Sequence, residues 1–134
     1  MLTVLGILVF AIIFAIVLLQ IFALARAKQM TGKSVSPDIL KRLRLSNHSP
    51  ALLYFTSPTC SMCRIQEQEM AQWKPSGARF VKVNIAEHLD VARYFNIMGT
   101  PSFVLLGEDG NVKQVLIGRQ SVSKLDNLLG KARA

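Results

Sequence analysis

From Met1 to Ala25 no side chain carries a charge, and Leu2 to Leu24 is built mostly from Leu, Ile, Val, Phe and Ala, with Thr3 and Gln20 as the strongly polar interruptions. As a helix rising 1.5 Å per residue, such a run spans roughly 35 Å, enough to cross a bilayer with modest tilt. Of the 134 residues, the first 25 are therefore withdrawn from any soluble core, and one domain's worth of chain remains. A cleaved signal peptide is the competing reading, because Ala23-Leu24-Ala25 and Ala25-Arg26-Ala27 both look like small-residue cleavage sites. Against it, the run exceeds the usual signal h-region of about 7 to 15 residues and no Lys or Arg precedes it. The expected organisation is a transmembrane anchor over 1–25, a basic juxtamembrane connector over 26–49 and a folded domain over 50–134.

The charges are unevenly placed. Residues 26 to 44 hold six of the 16 Lys and Arg (Arg26, Lys28, Lys33, Lys41, Arg42, Arg44) and one of the 8 Asp and Glu (Asp38), so five of the net +8 sit next to the span. By the positive-inside tendency, a single-pass membrane protein of this kind places its folded part in the cytoplasm, with an extracytoplasmic domain as the alternative. The pI near 10.0 does not argue for nucleic acid, since beyond residue 44 there are only 10 basic against 7 acidic side chains. Basic residues beside a span more simply meet anionic membrane lipid.

After the span, Thr31-Gly32-Lys33-Ser34 and Asn47-His48-Ser49-Pro50 read as turns, and Pro37 to Leu45 as a short helix with Ser36 as its N-cap. Ala51 to Phe55 is a continuous apolar run, the pattern of a strand buried on both faces. Cys60 to Trp73 reads as helix, Arg79 to Ile85 as strand, Glu87 to Tyr94 as a short helix and Ser102 to Leu106 as strand. Asp109-Gly110 and Val112 to Ile117 complete a hairpin, and Ser121 to Ala132 a final helix capped by Ser121 or Ser123. The order strand, helix, strand, helix, hairpin, helix is that of an α/β sandwich.

The two cysteines, Cys60-Ser61-Met62-Cys63, fall where the first strand gives way to the first helix of this domain. Unpaired N–H groups at a helix start favour thiolate over thiol, which makes Cys60 the candidate nucleophile. Three residues is nearly one helical turn, so Cys63 lies on the same side as a candidate resolving thiol. Half of a zinc site, completed by His48 and His88, is the weaker reading because those histidines show no paired spacing. Inert buried thiols, and a Cu(I) site using Met62 or Met98, also stay open.

With a second motif, Thr100-Pro101, some forty residues after the cysteines and behind a helix-strand-helix pattern, the stretch from about residue 50 to 132 resembles the thioredoxin family. Lys82-Val83-Asn84-Ile85, Gly110 and Gly118 sit where similar proteins carry matching residues. The resemblance implies a thioredoxin-like fold, a central mixed sheet flanked by helices, preceded here by one N-terminal transmembrane helix. It implies that Pro101 is cis and lies against the cysteine pair, with the backbone of Thr100 as an edge for an extended substrate and Met62 and Met98 flanking that groove.

The departures bear on the chemistry. Ser61-Met62 stands where Gly-Pro is common, and Thr59 where a tryptophan commonly precedes the first cysteine. Tyr54 occupies the position at which reducing thioredoxins bury an acid, while its usual lysine neighbour survives as Lys82. With a reference pKa of about 10, a buried tyrosine is a poor base near neutrality. Glu67, one turn beyond Cys63, is either a substitute proton acceptor or a solvated helix carboxylate, and Lys82 either stabilises a thiolate or hydrogen-bonds Tyr54.

The resemblance thus implies a membrane-anchored thiol:disulfide oxidoreductase, of protein-disulfide reductase type, acting on protein thiols and disulfides through Cys60 and Cys63. No metal or other cofactor is implied beyond the redox-active disulfide itself. Further candidate partners are membrane lipid and an integral membrane redox partner or complex. The competing class is a non-catalytic accessory subunit of a membrane complex.

Overall fold

The structure is a computed structural model and describes residues 1–45 and 49–133. Asn47 and His48, expected in a turn, lie outside the described residues. The uncharged stretch forms α1, Leu2–Met30, which is long and apolar enough to cross a membrane. Its large apolar side chains from Leu2 to Leu24 are exposed. The helix outlasts the apolar run because Arg26, Lys28 and Gln29 are good helix formers with no Gly or Pro before Thr31 to stop them.

The remaining elements are α2 (Pro37–Arg42), β1 (Ala51–Thr56), α3 (Ser61–Met70), β2 (Arg79–Asn84), α4 (Leu89–Tyr94), β3 (Ser102–Leu106), β4 (Val112–Ile117) and α5 (Val122–Arg133). The sheet is mixed, in the order β2-β1-β3-β4. β1 runs parallel to β2, with Tyr54 opposite Lys82, and antiparallel to β3, with Tyr54 opposite Phe103. β3 pairs antiparallel with β4 through the hairpin that Asp109-Gly110 turns.

Every residue of β1 and of β3 is buried, as a sheet covered on both faces requires. Alternation then sorts the side chains into two layers. Ala51, Leu53 and Phe55 face one layer with Val83, Val91, Phe95, Val104 and Leu106, and Phe55 meets Phe95 edge-on with centroids 5.9 Å apart. Leu52 and Tyr54 face the other with Phe103, Leu105, Leu116, Leu125 and Leu129, and Tyr54 stacks on Phe103 at 5.0 Å. α5 is held to the sheet by Leu125 and Leu129, about 3–6 kcal/mol of burial between them.

The segment expected to be a connector is built into the domain. Met30, Val35, Ile39 and Leu40 are all buried in the first layer. Gly32 N–H donates to Val112 O, Val112 N–H to Lys33 O and Val35 N–H to Gly110 O. Those four apolar side chains are scattered among polar ones, so they carry no local periodicity. They find partners because α2 covers the α4 side of the sheet.

Several helices are shorter than their patterns suggest. α3 stops at Met70 rather than Trp73, and Trp73 instead turns back on Phe80, 5.8 Å away, while its indole N–H donates to Asp126 at 2.8 Å. α2 ends at Arg42, where Arg44 takes a left-handed φ of 53°. α4 begins at Leu89, because Asn84 bends the chain before it by accepting from the Ala86 N–H.

Candidate active site

β1 delivers the chain through Ser57-Pro58-Thr59 to Cys60, the N-cap of α3. The Cys60 sulfur accepts from the Cys63 N–H at 3.1 Å, so one of the unpaired donors at the helix start is aimed at it. Cys60 and Cys63 are disulfide-bonded, with Cα atoms 5.2 Å apart. Cys60 is half-buried and Cys63 is only 1% exposed. The outer sulfur is thus open to a partner and the inner one is covered.

The Thr100–Pro101 peptide bond is cis, and the carbonyl oxygen of Thr100 lies 3.4 Å from Cys60 Sγ. Two hydrogen bonds brace this loop: Ser102 Oγ donates to Gly99 O at 2.7 Å, and Gly118 N–H donates to Pro101 O at 2.8 Å. Gly118 has φ +86°, a conformation that side chains resist, which accounts for glycine there. Met62 and Met98 are 45% and 70% exposed on this face. The sequence motifs some forty residues apart are therefore in contact.

Behind Cys63, Tyr54, Thr56, Glu67 and Lys82 converge. Lys82 does not reach for the Tyr54 hydroxyl; its Nζ pairs with Glu67 Oε1 at 2.9 Å. The same oxygen accepts from Thr56 Oγ1 at 3.2 Å and lies 3.5 Å from the Tyr54 hydroxyl. Glu67 is therefore no free helix carboxylate: parallel register sets Tyr54 beside Lys82, and α3 crosses above both. Burial pushes the Glu67 carboxyl upward, but the Lys82 ammonium and the two hydroxyl donors together outweigh it and hold the group below the usual range. Tyr54 moves the other way, raised first by burial and then by the charge of Glu67. A cavity of about 230 Å³, lined by Thr56, Ser57, Pro58, Cys63, Arg64, Glu67, Lys82 and Asn84, joins this cluster to the inner cysteine.

Sequence reasoning missed the pair that fixes α3. Gln66 is fully buried; its Nε2 donates to Gln120 O at 2.9 Å and its Oε1 accepts the Gln120 N–H at 2.7 Å. Gln120 in turn donates to Ile117 O and Gly118 O. The cysteine helix and the Pro101 loop are thereby tied through one short segment. A glutamine in a polar helix gives no outward sign of this.

Among the described residues, no three His, Cys, Asp or Glu side chains converge as metal ligands. His88 lines a separate cavity with Arg42, Leu43, Arg44 and Val91, while His48 lies outside the described residues.

Comparisons with known proteins bear on the whole arrangement. The family described as the thioredoxin-like domain matches residues 37–133. A thioredoxin of Mycoplasma genitalium is 34% identical over 76 residues, 55% of this chain and 74% of that protein. Thioredoxin-2 of Pyricularia oryzae is 30% identical over 74 residues, 54% of this chain but only 43% of the relative's length. Among solved structures, a mutant thioredoxin of Halobacterium salinarum superposes with a TM-score of 0.61 at 21% identity, covering 75% of this chain and 88% of that one. With its family match, its mixed sheet and its disulfide at the start of α3, the chain belongs to the thioredoxin-like domain family.

Proposed function

We propose that this chain is a membrane-anchored thiol:disulfide oxidoreductase, with α1 as the anchor and Cys60 and Cys63 as the pair that exchanges with protein substrates. One observation carries the reading: an accessible sulfur at a helix start, bonded to a buried one and 3.4 Å from the Thr100 carbonyl. In the reduced pair, the Cys63 N–H and the helix end favour the Cys60 thiolate. That thiolate attacks a substrate disulfide; a Cys60–substrate bond forms, the substrate S–S bond breaks, and its second sulfur leaves as thiolate. Cys63, deprotonated, then attacks Cys60 Sγ, which closes the Cys60–Cys63 bond and expels the remaining substrate sulfur. Two electrons have passed to the substrate, and another dithiol must return them.

Because Cys63 is buried, its proton needs a way out. At about 30 Å³ per water, the cavity beside it has room for several. Glu67 lines the same cavity and serves as a relay rather than a store. Even an unshifted carboxylate lies about four pKa units below a thiol, ~6 kcal/mol uphill, and Glu67 lies lower still. Thr100, Pro101, Met62 and Met98 form the groove for an extended substrate segment. The basic bias of residues 26–44 supports a cytoplasmic location for this face.

The test is reduction of insulin by the full chain in detergent micelles, with a small dithiol as donor. Turnover by the wild type that Cys60→Ser abolishes is the expected result. A wild-type rate no higher than that of Cys60→Ser would leave a non-enzymatic subunit as the better reading.

A further inference from the structure

The anchor does not merely tether the domain; it runs into the substrate groove. α1 continues unbroken from the uncharged stretch to Met30, whose side chain is buried in the domain core, so no flexible linker separates the two. Arg26, the first charged side chain after the span, holds its guanidinium 5.1 Å from the Phe22 ring centroid and 3.8 Å from Met98 Sδ. Ala23 and Arg26 enclose a small cavity with Ile97, Met98, Ser102 and Ile117. Two residues after Met98 comes Thr100, whose carbonyl lies 3.4 Å from Cys60 Sγ.

These contacts set a depth. A charged side chain closing an apolar span sits at headgroup level, with its aliphatic stem along the hydrocarbon. Met98, touching that guanidinium, sits there too. The path onward through Thr100 to Cys60 Sγ is at most about 20 Å, against a headgroup layer of roughly 5–8 Å per leaflet. Met98 and Ile117, 70% and 53% exposed, then face the interface rather than open water.

Resting on the exchange reading above, we propose that the groove beside Arg26 is built for a membrane partner: an integral membrane protein presenting its disulfide, on an extended segment, within a few residues of a transmembrane helix end. A large soluble globular substrate is disfavoured because its bulk would crowd the bilayer as its disulfide approached Cys60, whereas a small one such as insulin, offered to the chain in micelles, still reaches the sulfur. Continuity with the anchor, and exposed apolar side chains at headgroup depth, single out an occupant that already lives in the membrane.

The experiment reconstitutes the full chain in phosphatidylcholine vesicles with two transmembrane peptides bearing the same fluorogenic disulfide. In one, the disulfide begins three residues beyond the last apolar residue; in the other, a 20-residue EAAAK-type helix holds it about 30 Å higher. Both are confined to the same surface, so the comparison isolates depth. The interfacial disulfide is expected to be reduced at least tenfold faster. Equal rates would overturn this proposal and leave the exchange reading standing. No reduction of either peptide, nor of insulin, would remove the exchange reading and this partner with it. Depth is read separately by placing Met98→Trp on a Trp73→Phe background, Trp73 being the sole tryptophan. Lipids brominated near the top of the acyl chain are expected to quench it by at least half. An unquenched tryptophan would also overturn the proposal.

Discussion

Gln66→Leu removes a side chain that is fully buried and carries no chemistry, yet it is expected to destabilise the domain well beyond a surface substitution. The wild-type amide satisfies both the N–H and the C=O of Gln120 at 2.7 and 2.9 Å. Leucine fills a similar volume and leaves both groups buried and unpaired, at about 1–3 kcal/mol each. The added apolar burial returns about 1 kcal/mol. A net loss of about 1–5 kcal/mol follows, which for a domain near 100 residues lowers the Tm by about 4 °C or more. Urea or thermal unfolding of the full chain in micelles, followed by Trp73 fluorescence, measures it; Trp73 packs against Phe80 in the layer concerned. The exposed neighbour Gln68→Leu serves as control and is expected to change stability by no more than about 0.5 kcal/mol. If Gln66→Leu matched that control, the reciprocal amide pair would not be what holds α3 against the Gln120 segment.

Three further outcomes are expected. Cys63→Ser retains the nucleophile but not the resolving thiol, so it accumulates a Cys60–substrate mixed disulfide, visible on a non-reducing gel and cleared by dithiothreitol, that Cys60→Ser does not form. Glu67→Gln slows release from the mixed disulfide about tenfold, less than the usual 10²–10⁴ of a proton-transfer group because water can substitute, and leaves the first attack unchanged in stopped-flow. Because the folded Glu67 carboxyl is held low, its stabilisation is complete above the unfolded value and is lost as pH falls through the folded one. Acid titration should therefore destabilise the wild type more than Glu67→Gln, by at most about 1 kcal/mol for so exposed a pair. Tyr54→Phe costs less than about 1 kcal/mol at pH 7, its hydroxyl contacts being long at 3.4 and 3.5 Å. At alkaline pH the sign changes: the raised Tyr54 pKa makes the unfolded state ionise first, so wild-type stability falls above about pH 10, and Tyr54→Phe removes that contribution.

The site's skeleton was legible because its motifs are local. A cysteine pair at a strand-to-helix junction and a Thr-Pro before a strand are each a few residues long, and β3 and β4 occupy the expected ranges, Ser102–Leu106 and Val112–Ile117. What escaped depends on partners distant in sequence. Met30 and Val35 are isolated apolar residues whose burial is decided by β4 and α4. Glu67 is a helix carboxylate like Glu69 until the register of β2 sets Lys82 beneath it. Trp73 continues the apolar spacing of α3, yet its packing on Phe80 and its bond to Asp126 win over one more helical turn.

The strip from Gly32 to Val35 lies against the first residues of β4, and Leu24, Lys28 and Thr31 flank Lys113, Gln114 and Val115 along the same margin. A free sheet margin invites a stranger's strand to add on. On this side the chain has shielded its own border, so a second copy seeking main-chain pairing is left with β2, the opposite flank, whose Arg79 side chain stands exposed as a cationic deterrent.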